Sequence, residues 1–424
     1  MIKKIIYFLI ISLFFSIVLI FLSVHFINFK NPEKIAFMRS LLPSEFKFLI
    51  KEKVCLYRYY DVPEYANERI FPQTQFLKLN YNEITIKGLE SREAYWRDKK
   101  RNGQKVVPFY IETFDDHNIL IAINGTTLFY ETSNFFKKKS SKNFEIKNNL
   151  PKNISVDGSM LYKGQIFISF RNRSKSCDNR EIYVADVNFN FLNFKEFYSH
   201  GSALKCEIPY GVGGGVMTLY NDNDIPSIIV STNYPNNESH ILLKNYNKKK
   251  ETIMLLINLK TKKSRPFTVG HRNPQGLFVN KKNIIISTEH GPRGGDEINK
   301  ITEGNNYGWP SRSYGEGGDN FVSNHSKHGF VEPIYSFVPA VAISQIIRVP
   351  EEFSPRWQNS YLITTLRGVA IYRIVFDENY SRVITMEKMR IGKRIRDIAY
   401  NKKYNSFLLA LENESGSVGF ISVH

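Results

Sequence analysis

The chain has 424 residues, with 58 Lys and Arg set against 40 Asp and Glu, a formal net charge of +18. Nucleic acid is excluded as the expected partner. The lysines are spread over many turns, and the tight clusters Lys137-Lys138-Lys139 and Lys248-Lys249-Lys250 sit in apparent loops with no interleaved stacking motif. Solvated turn charge is the simpler account, and attraction to an anionic membrane or envelope polymer stays open beside it.

Taken in chain order, the first predicted element is apolar. Ile5 to Phe29 carries no charge, with His25 neutral, and is long enough to cross ~30 Å of hydrocarbon as a helix. Lys3 and Lys4 precede it, so the positive-inside rule puts the N-terminus in the cytoplasm and the body outside. A cleaved signal peptide would carry a shorter apolar region of about 7–15 residues and a small-residue cleavage site. Residues 1–30 are therefore expected to be an uncleaved, single-pass transmembrane anchor in the inner membrane, with a periplasmic or extracytoplasmic body.

Residues 31–104 read as a juxtamembrane region of unassigned fold, interrupted by Pro32, Pro43, Pro63 and Pro72, with one helical stretch at Ser44 to Val54. The body that follows reads as all-β. Aromatics are 14% of the chain, and β-branched or aromatic runs alternate with Asn, Gly, Asp and Lys turns. Strands are predicted at Asn118 to Ile123, Gln165 to Phe170, Ile225 to Ser231, Thr252 to Leu259, Ser360 to Thr365, Ala370 to Phe376 and Ser406 to Leu411. Radially repeated four-stranded sheets would bury such strands and protect their edges. Of the three cysteines, Cys177 and Cys206 could pair and leave Cys55 over; the sequence leaves this open.

Ile284 to Thr288 is a β-branched run and predicts a buried strand. The loop after it, Glu289 to Glu297, contains His290, Gly291, Pro292, Arg293, Gly294, Gly295 and Asp296. Its glycines permit close backbone approach, and its oxygen-rich character suits a hard cation such as Ca²⁺. Arg272 and Asn273, just upstream, offer donors suited to a carboxylate. The plainer alternative is a tight β-loop whose polar groups satisfy one another.

Three blocks then stand in order: Gly270-His271-Arg272-Asn273-Pro274-Gln275-Gly276, Glu289-His290-Gly291-Pro292 running on to Asp296-Glu297-Ile298-Asn299, and Asn306-Tyr307-Gly308-Trp309-Pro310. Together they resemble the signature of the soluble pyrroloquinoline quinone (PQQ)-dependent aldose sugar dehydrogenases, the glucose/sorbosone dehydrogenase family. The resemblance implies a six-bladed β-propeller over 105–424, with its site at the central channel. Blades are expected near 105–150, 151–200, 205–265, 266–340, 341–380 and 385–424.

It also implies the cofactors. PQQ is a planar ortho-quinone with three carboxylates, which Arg272, Asn273, Arg367, Arg394 and Arg396 would answer with bidentate, charge-assisted hydrogen bonds. Arg367 stands where the family has the lysine of a Ser-Leu-Lys-Gly strand, and Arg394 and Arg396 stand in an Arg-x-Arg-Asp-like loop. Ordinary inter-blade salt bridges are the competing explanation. The resemblance further implies Ca²⁺ on the backbone carbonyls of Gly291 and Pro292, polarising the quinone. Asp296 and Glu297 would brace the loop or serve a second Ca²⁺ with the Tyr307 loop.

One element departs from the pattern. The family's general base is a histidine in a His-x-Gly-Gly-Arg-like segment, and the matching stretch here is Tyr210-Gly211-Val212-Gly213-Gly214-Gly215. The histidine position falls on Gly211 without a gap or on Tyr210 with one; Tyr210 is the candidate base, although a phenol near pKa 10 is a reluctant one, and His200 and His290 are the other candidate proton acceptors. The family's aromatic wall near Trp-x-Pro becomes Phe337-Val338-Pro339. Two functions are expected from this. One is PQQ- and Ca²⁺-dependent oxidation of an aldose or related alcohol at the cell envelope, with electrons passed to an unidentified acceptor. The other is a catalytically silent propeller that binds a sugar, polysaccharide or protein.

Overall fold

The computed structural model describes residues 77–93, 105–114, 119–131, 135, 144–172, 179–199, 214–231, 253–292, 294–309, 311–315 and 324–423. All belong to a compact unit spanning Asp61–His424. The predicted anchor, the Ser44 to Val54 helix, Tyr210, His200 and all three cysteines lie outside the described residues. Among those described, no helix is long and apolar enough to cross a membrane.

The fold is all-β. Six four-stranded antiparallel sheets are the blades, and their innermost strands neighbour one another in a closed ring. In chain order these innermost strands are Tyr110–Phe114, Ile154–Tyr162, Met217–Asp222, Pro274–Val279, Ile343–Arg348 and Ile395–Asn401. The last closes onto the first. The six-bladed propeller expected from the family resemblance is thus observed.

The strand sequences explain the stacking. A middle strand of a blade is covered on both faces, so its run is apolar throughout rather than alternating. In Ile225–Ser231, Ile228 and Val230 face Phe167 and Ile182 of the second blade, whereas Ile229 points the other way, toward Leu277 and Ile285 of the fourth. The same period-two division puts Ile286 and Ile298 against Ile343 and Ile363, and Leu408 and Ala410 against Phe109 and Leu120. Each inter-blade core is therefore built from both neighbours.

The predicted strands agree closely with those observed. Ile225–Ser231, Ser360–Thr365, Ala370–Phe376 and Ser406–Leu411 coincide, and the run predicted from Ile284 is observed as Ile285–Glu289. Two blade boundaries differ. Val383–Arg390 pairs with Ala370–Phe376 and so completes the fifth blade, instead of belonging to the sixth. The sixth blade, Ile395–Asn401, Ser406–Leu411 and Ser417–Val423, takes its outermost strand from Leu79–Thr85, in register Leu79 with Val423 and Thr85 with Ser417. The propeller thus draws on chain well before residue 105. Strand pairing between distant parts of the chain seals the ring with backbone hydrogen bonds, a device that local sequence pattern does not reveal.

The two ends of the propeller differ. At one, here the site end, the innermost strands begin and the loops between second and third strands emerge. At the other, the turn end, the first hairpin of each blade closes.

Candidate functional site

The segment Gly270–Asn273 leads from the third blade into the innermost strand of the fourth, and His290–Gly295 links that blade's second and third strands. Glu289, buried at the end of the second strand, joins them. Its Oε1 accepts from the backbone N–H groups of Arg272 and, at 3.0 Å, Asn273. Its Oε2 lies 3.0 Å from His271 Nδ1. The His271 ring is held further by Thr268 Oγ1 at 2.8 Å and by stacking on Tyr307 at 4.6 Å. Tyr307 donates to the Lys300 carbonyl at 2.7 Å. A buried carboxylate with this many donors fixes the loop that presents Arg272.

Arg272 donates from Nη1 to the His290 carbonyl at 2.9 Å and lies over the Trp309 ring at 5.3 Å. At the start of the sixth blade, Arg394 and Arg396 share the buried carboxylate of Glu412. Arg394 donates from Nε and Nη2 to Oε2 at 3.0 and 2.8 Å, and Arg396 from Nε to Oε1 at 2.5 Å. Those guanidiniums hold the Glu412 carboxyl below its ordinary pKa despite a larger opposing effect of burial. An ordered chain of donors connects the two clusters. Arg396 Nη1 donates to Gln275 Oε1 at 3.2 Å, Gln275 Nε2 to Asn273 Oδ1 at 2.7 Å, and Asn273 Nδ2 faces His290 Nδ1 at 3.2 Å.

That direction assigns Nδ1 of His290 as the acceptor and leaves its proton on Nε2. Nε2 is buried and closes no hydrogen bond of good geometry, although the Ile343 carbonyl is near enough to act on the ring. Burial, followed by the charges of Arg272, Arg396 and Arg394, drives His290 down to about 3. The imidazole is neutral at physiological pH and does not accept a further proton there. The three predicted arginines thus lie close enough for their charges to act on this one ring.

Arg367 does not join them through hydrogen bonds. It sits exposed in the turn between Ser360–Thr365 and Ala370–Phe376, at the same end of the propeller. Phe337 forms no wall of the channel: it is buried in the core between fourth and fifth blades, edge-on to Tyr372 and Tyr335.

Gly291 and Pro292 lie where expected, in a compact loop. Gly291 donates its N–H to Asp296 Oδ1 at 3.0 Å, and a Cβ there would strike the Gly294 and Gly295 carbonyls. Asp296 also accepts from Ala342 and Ile343 N–H at 2.5 and 3.3 Å, so it ties this loop to the fifth blade. Burial pushes its carboxyl up to about 6. Glu297 is raised well above its ordinary value by burial and then by the charge of Glu289. A small cleft opens beside it, lined by Arg272, Glu289, Gly291, Glu297, Tyr307 and Trp309 among others. Among the described residues, no group of three His, Cys, Asp or Glu side chains is placed to hold a metal ion.

Sequence reasoning missed Glu412 and Gln275 as organisers of the site. Glu412 lies eighteen residues beyond Arg394, and no spacing rule joins them. Gln275 was within the quoted signature but was not given a role.

The family described as Glucose / Sorbosone dehydrogenase matches residues 256–419. Aldose sugar dehydrogenase YliI of Escherichia coli is 34% identical over 158 residues, covering 35% of this chain and 41% of that protein. Quinoprotein glucose dehydrogenase B of Acinetobacter calcoaceticus is 25% identical over 211 residues, covering 37% and 44%. The chain thus matches less than half the length of either relative. Among solved structures, a glucose dehydrogenase superposes with a TM-score of 0.63 at 18% identity, covering 81% of this chain and 99% of the other. The PQQ-bound aldose sugar dehydrogenase of Streptomyces coelicolor superposes with a TM-score of 0.54 at 15% identity, covering 82% and 100%. At such identities the structures speak for the fold.

Proposed function

From a propeller whose residues 256–419 are of the glucose/sorbosone dehydrogenase type, we propose a PQQ- and Ca²⁺-dependent oxidation of an aldose or related alcohol, carried out at the cell envelope. The observation that carries this reading is the convergence of Arg272, Arg394 and Arg396 around His290. One buried carboxylate serves two of these guanidiniums, and the third is answered by a carbonyl and an aromatic face. Three guanidiniums gathered in one place suit a ligand bearing several carboxylates.

Arg272, Asn273, Arg394 and Arg396 would hold the quinone, with Arg367 reaching it from the exposed fifth-blade turn. The Gly291 and Pro292 carbonyls would hold Ca²⁺, and Glu297 lies in the neighbouring carboxylate-rich cleft. Bound there, PQQ would accept hydride from the sugar carbon, with Ca²⁺ as Lewis acid. The chain must then take the hydroxyl proton. His290 is unsuited because the surrounding guanidiniums oppose a second proton. Within this reading the task falls to Tyr210, or to His200 on the same connection between second and third blades. The N-terminal apolar segment would anchor the protein, with the propeller outside the inner membrane.

The second reading, a silent binding propeller, draws on the missing histidine and on the neutral His290. A panel of aldoses with an artificial electron acceptor, run on the full chain loaded with PQQ and Ca²⁺, separates the two. Sugar-dependent dye reduction is the expected result. Tight binding of PQQ without any reduction would establish the silent propeller.

A further inference from the structure

We propose that the turn end of the propeller, opposite the site, rests on an anionic lipid surface. The inference draws on the membrane placement proposed above, not on the dehydrogenase activity. Three independent features meet at this end.

The first is charge. Exposed lysines occupy the turns of four blades: Lys163 in the second, Lys260, Lys262 and Lys263 in the third, Lys281 and Lys282 in the fourth, and Lys402 and Lys403 in the sixth. None forms an ion pair with a described residue. Of the acids at this end, Asp222 and Glu303 pair with Arg265, Glu351 with Arg348, and Asp377 caps its own turn through Ser381, while Asp186, Asp224, Glu352 and Glu378 stand exposed. The lysines named above, with Arg265, Arg348 and Arg382, outnumber these acids, so this end stays net positive.

The second is apolar exposure. The large hydrophobic side chains exposed among the described residues are Tyr81, Phe144, Phe191, Ile225 and Ile384, each at 38–46%. Pairing places three of them toward the turn end: Ile225 opens the hairpin opposite Asp222, Ile384 follows the Phe376–Val383 pair, and Tyr81 is third in its strand, opposite Ile421. Phe144, opposite Tyr130, and Phe191, opposite Lys147, lie along the outer edge of the first blade. Several lysines also lie over rings, Lys163 over Tyr162 at 5.2 Å and Lys262 over Phe197 at 5.6 Å. Aromatic bodies with ammonium tips beside them suit the boundary between acyl chains and anionic headgroups.

The third is connectivity. Leu79 pairs with Val423, so the chain preceding the propeller joins it at the turn end. A bilayer meeting this end leaves Arg272, Arg394 and Arg396 facing away from the lipid, open to soluble substrate.

Hydrogen exchange on the full chain tests this, with the protein reconstituted in bilayers of phosphatidylglycerol and, separately, phosphatidylcholine. Turns 259–263, 280–283 and 402–405 should exchange about tenfold or more slowly in the anionic bilayer, with loops 290–295 and 412–416 alike in both. The variant K262E/K263E/K281E/K282E should remove the difference, because each lysine at such a surface contributes roughly fivefold. K388E, near the site end of the fifth blade's outer strand, should keep it. Equal exchange in the two bilayers overturns the proposal, as does slowing at the site end. Slowing to the same degree in both lipids assigns the cover to protein and overturns it too. Alkaline carbonate extraction of the same samples reads the anchor by itself. Release of the protein would remove the anchor while the lipid-dependent protection stood.

Discussion

Glu412 carries two guanidiniums on a single carboxylate at the sixth blade's site end. Replacing it by Gln leaves Arg394 and Arg396 without their anion, and the cost expected is about 3–5 kcal/mol of stability, read by denaturant unfolding. Arg394→Ala is milder for the fold, since Arg396 still satisfies Glu412, but should weaken PQQ by about 2 kcal/mol or more. Isothermal titration checks the latter; an unchanged affinity would take Arg394 out of the site. His290 makes a pH prediction. Its folded pKa of about 3 lies below the ordinary imidazole value, so below about pH 6.5 the unfolded chain takes up a proton that the folded chain refuses. Stability contributed by the neutral ring is full above that pH and falls as acid is added toward pH 3. His290→Gln should flatten this acid limb. At this scale the arginines were legible through the family resemblance, and the structure brings Arg272, Arg394 and Arg396 to one place. The sequence was silent on Glu412 and on the Gln275 link, whose roles arise only when blades close.

Carboxyls at the blade seams behave as elements of construction. Asp397 of the sixth blade accepts the Ile111 N–H of the first at 3.0 Å, and Ser159 of the second donates to Glu112 of the first at 2.6 Å. Burial raises Glu112 to about 8 and Asp397 to about 6. A raised carboxyl favours folding fully below its unfolded pKa near 4.5, and that contribution is lost as pH climbs through the folded value. The stability these carboxyls contribute should therefore decline from about pH 4.5 to 8, and Glu112→Gln should remove much of this alkaline loss. A variant with the parental pH dependence would contradict the assignment. The strands themselves were legible because a run such as Ile225–Ser231 is apolar on both faces and bounded by Asn-Asp turns. The seam between fifth and sixth blades was misjudged because Val383–Arg390 carries an exposed, charged pattern that fits an edge strand of either blade.

The whole molecule depends on its closure. Leu79–Thr85 contributes the outer strand of the last blade, so Asn82→Pro, which removes a ladder donor and constrains the backbone, should cost about 3 kcal/mol or more and lower the thermal midpoint. The family resemblance supplied the number of blades, while the position of the seal lay in a segment with no recognisable motif. The two ends differ in chemistry, with guanidiniums at one and lysines with exposed apolar side chains at the other. The central claim is that the guanidinium end is a quinone site. It is tested most directly by equilibrium titration of the full chain with PQQ, with and without Ca²⁺, in parent and Arg394→Ala protein. Saturable, Ca²⁺-dependent binding that weakens roughly thirtyfold or more in the variant is predicted. Absence of binding by the parent under both conditions would contradict it.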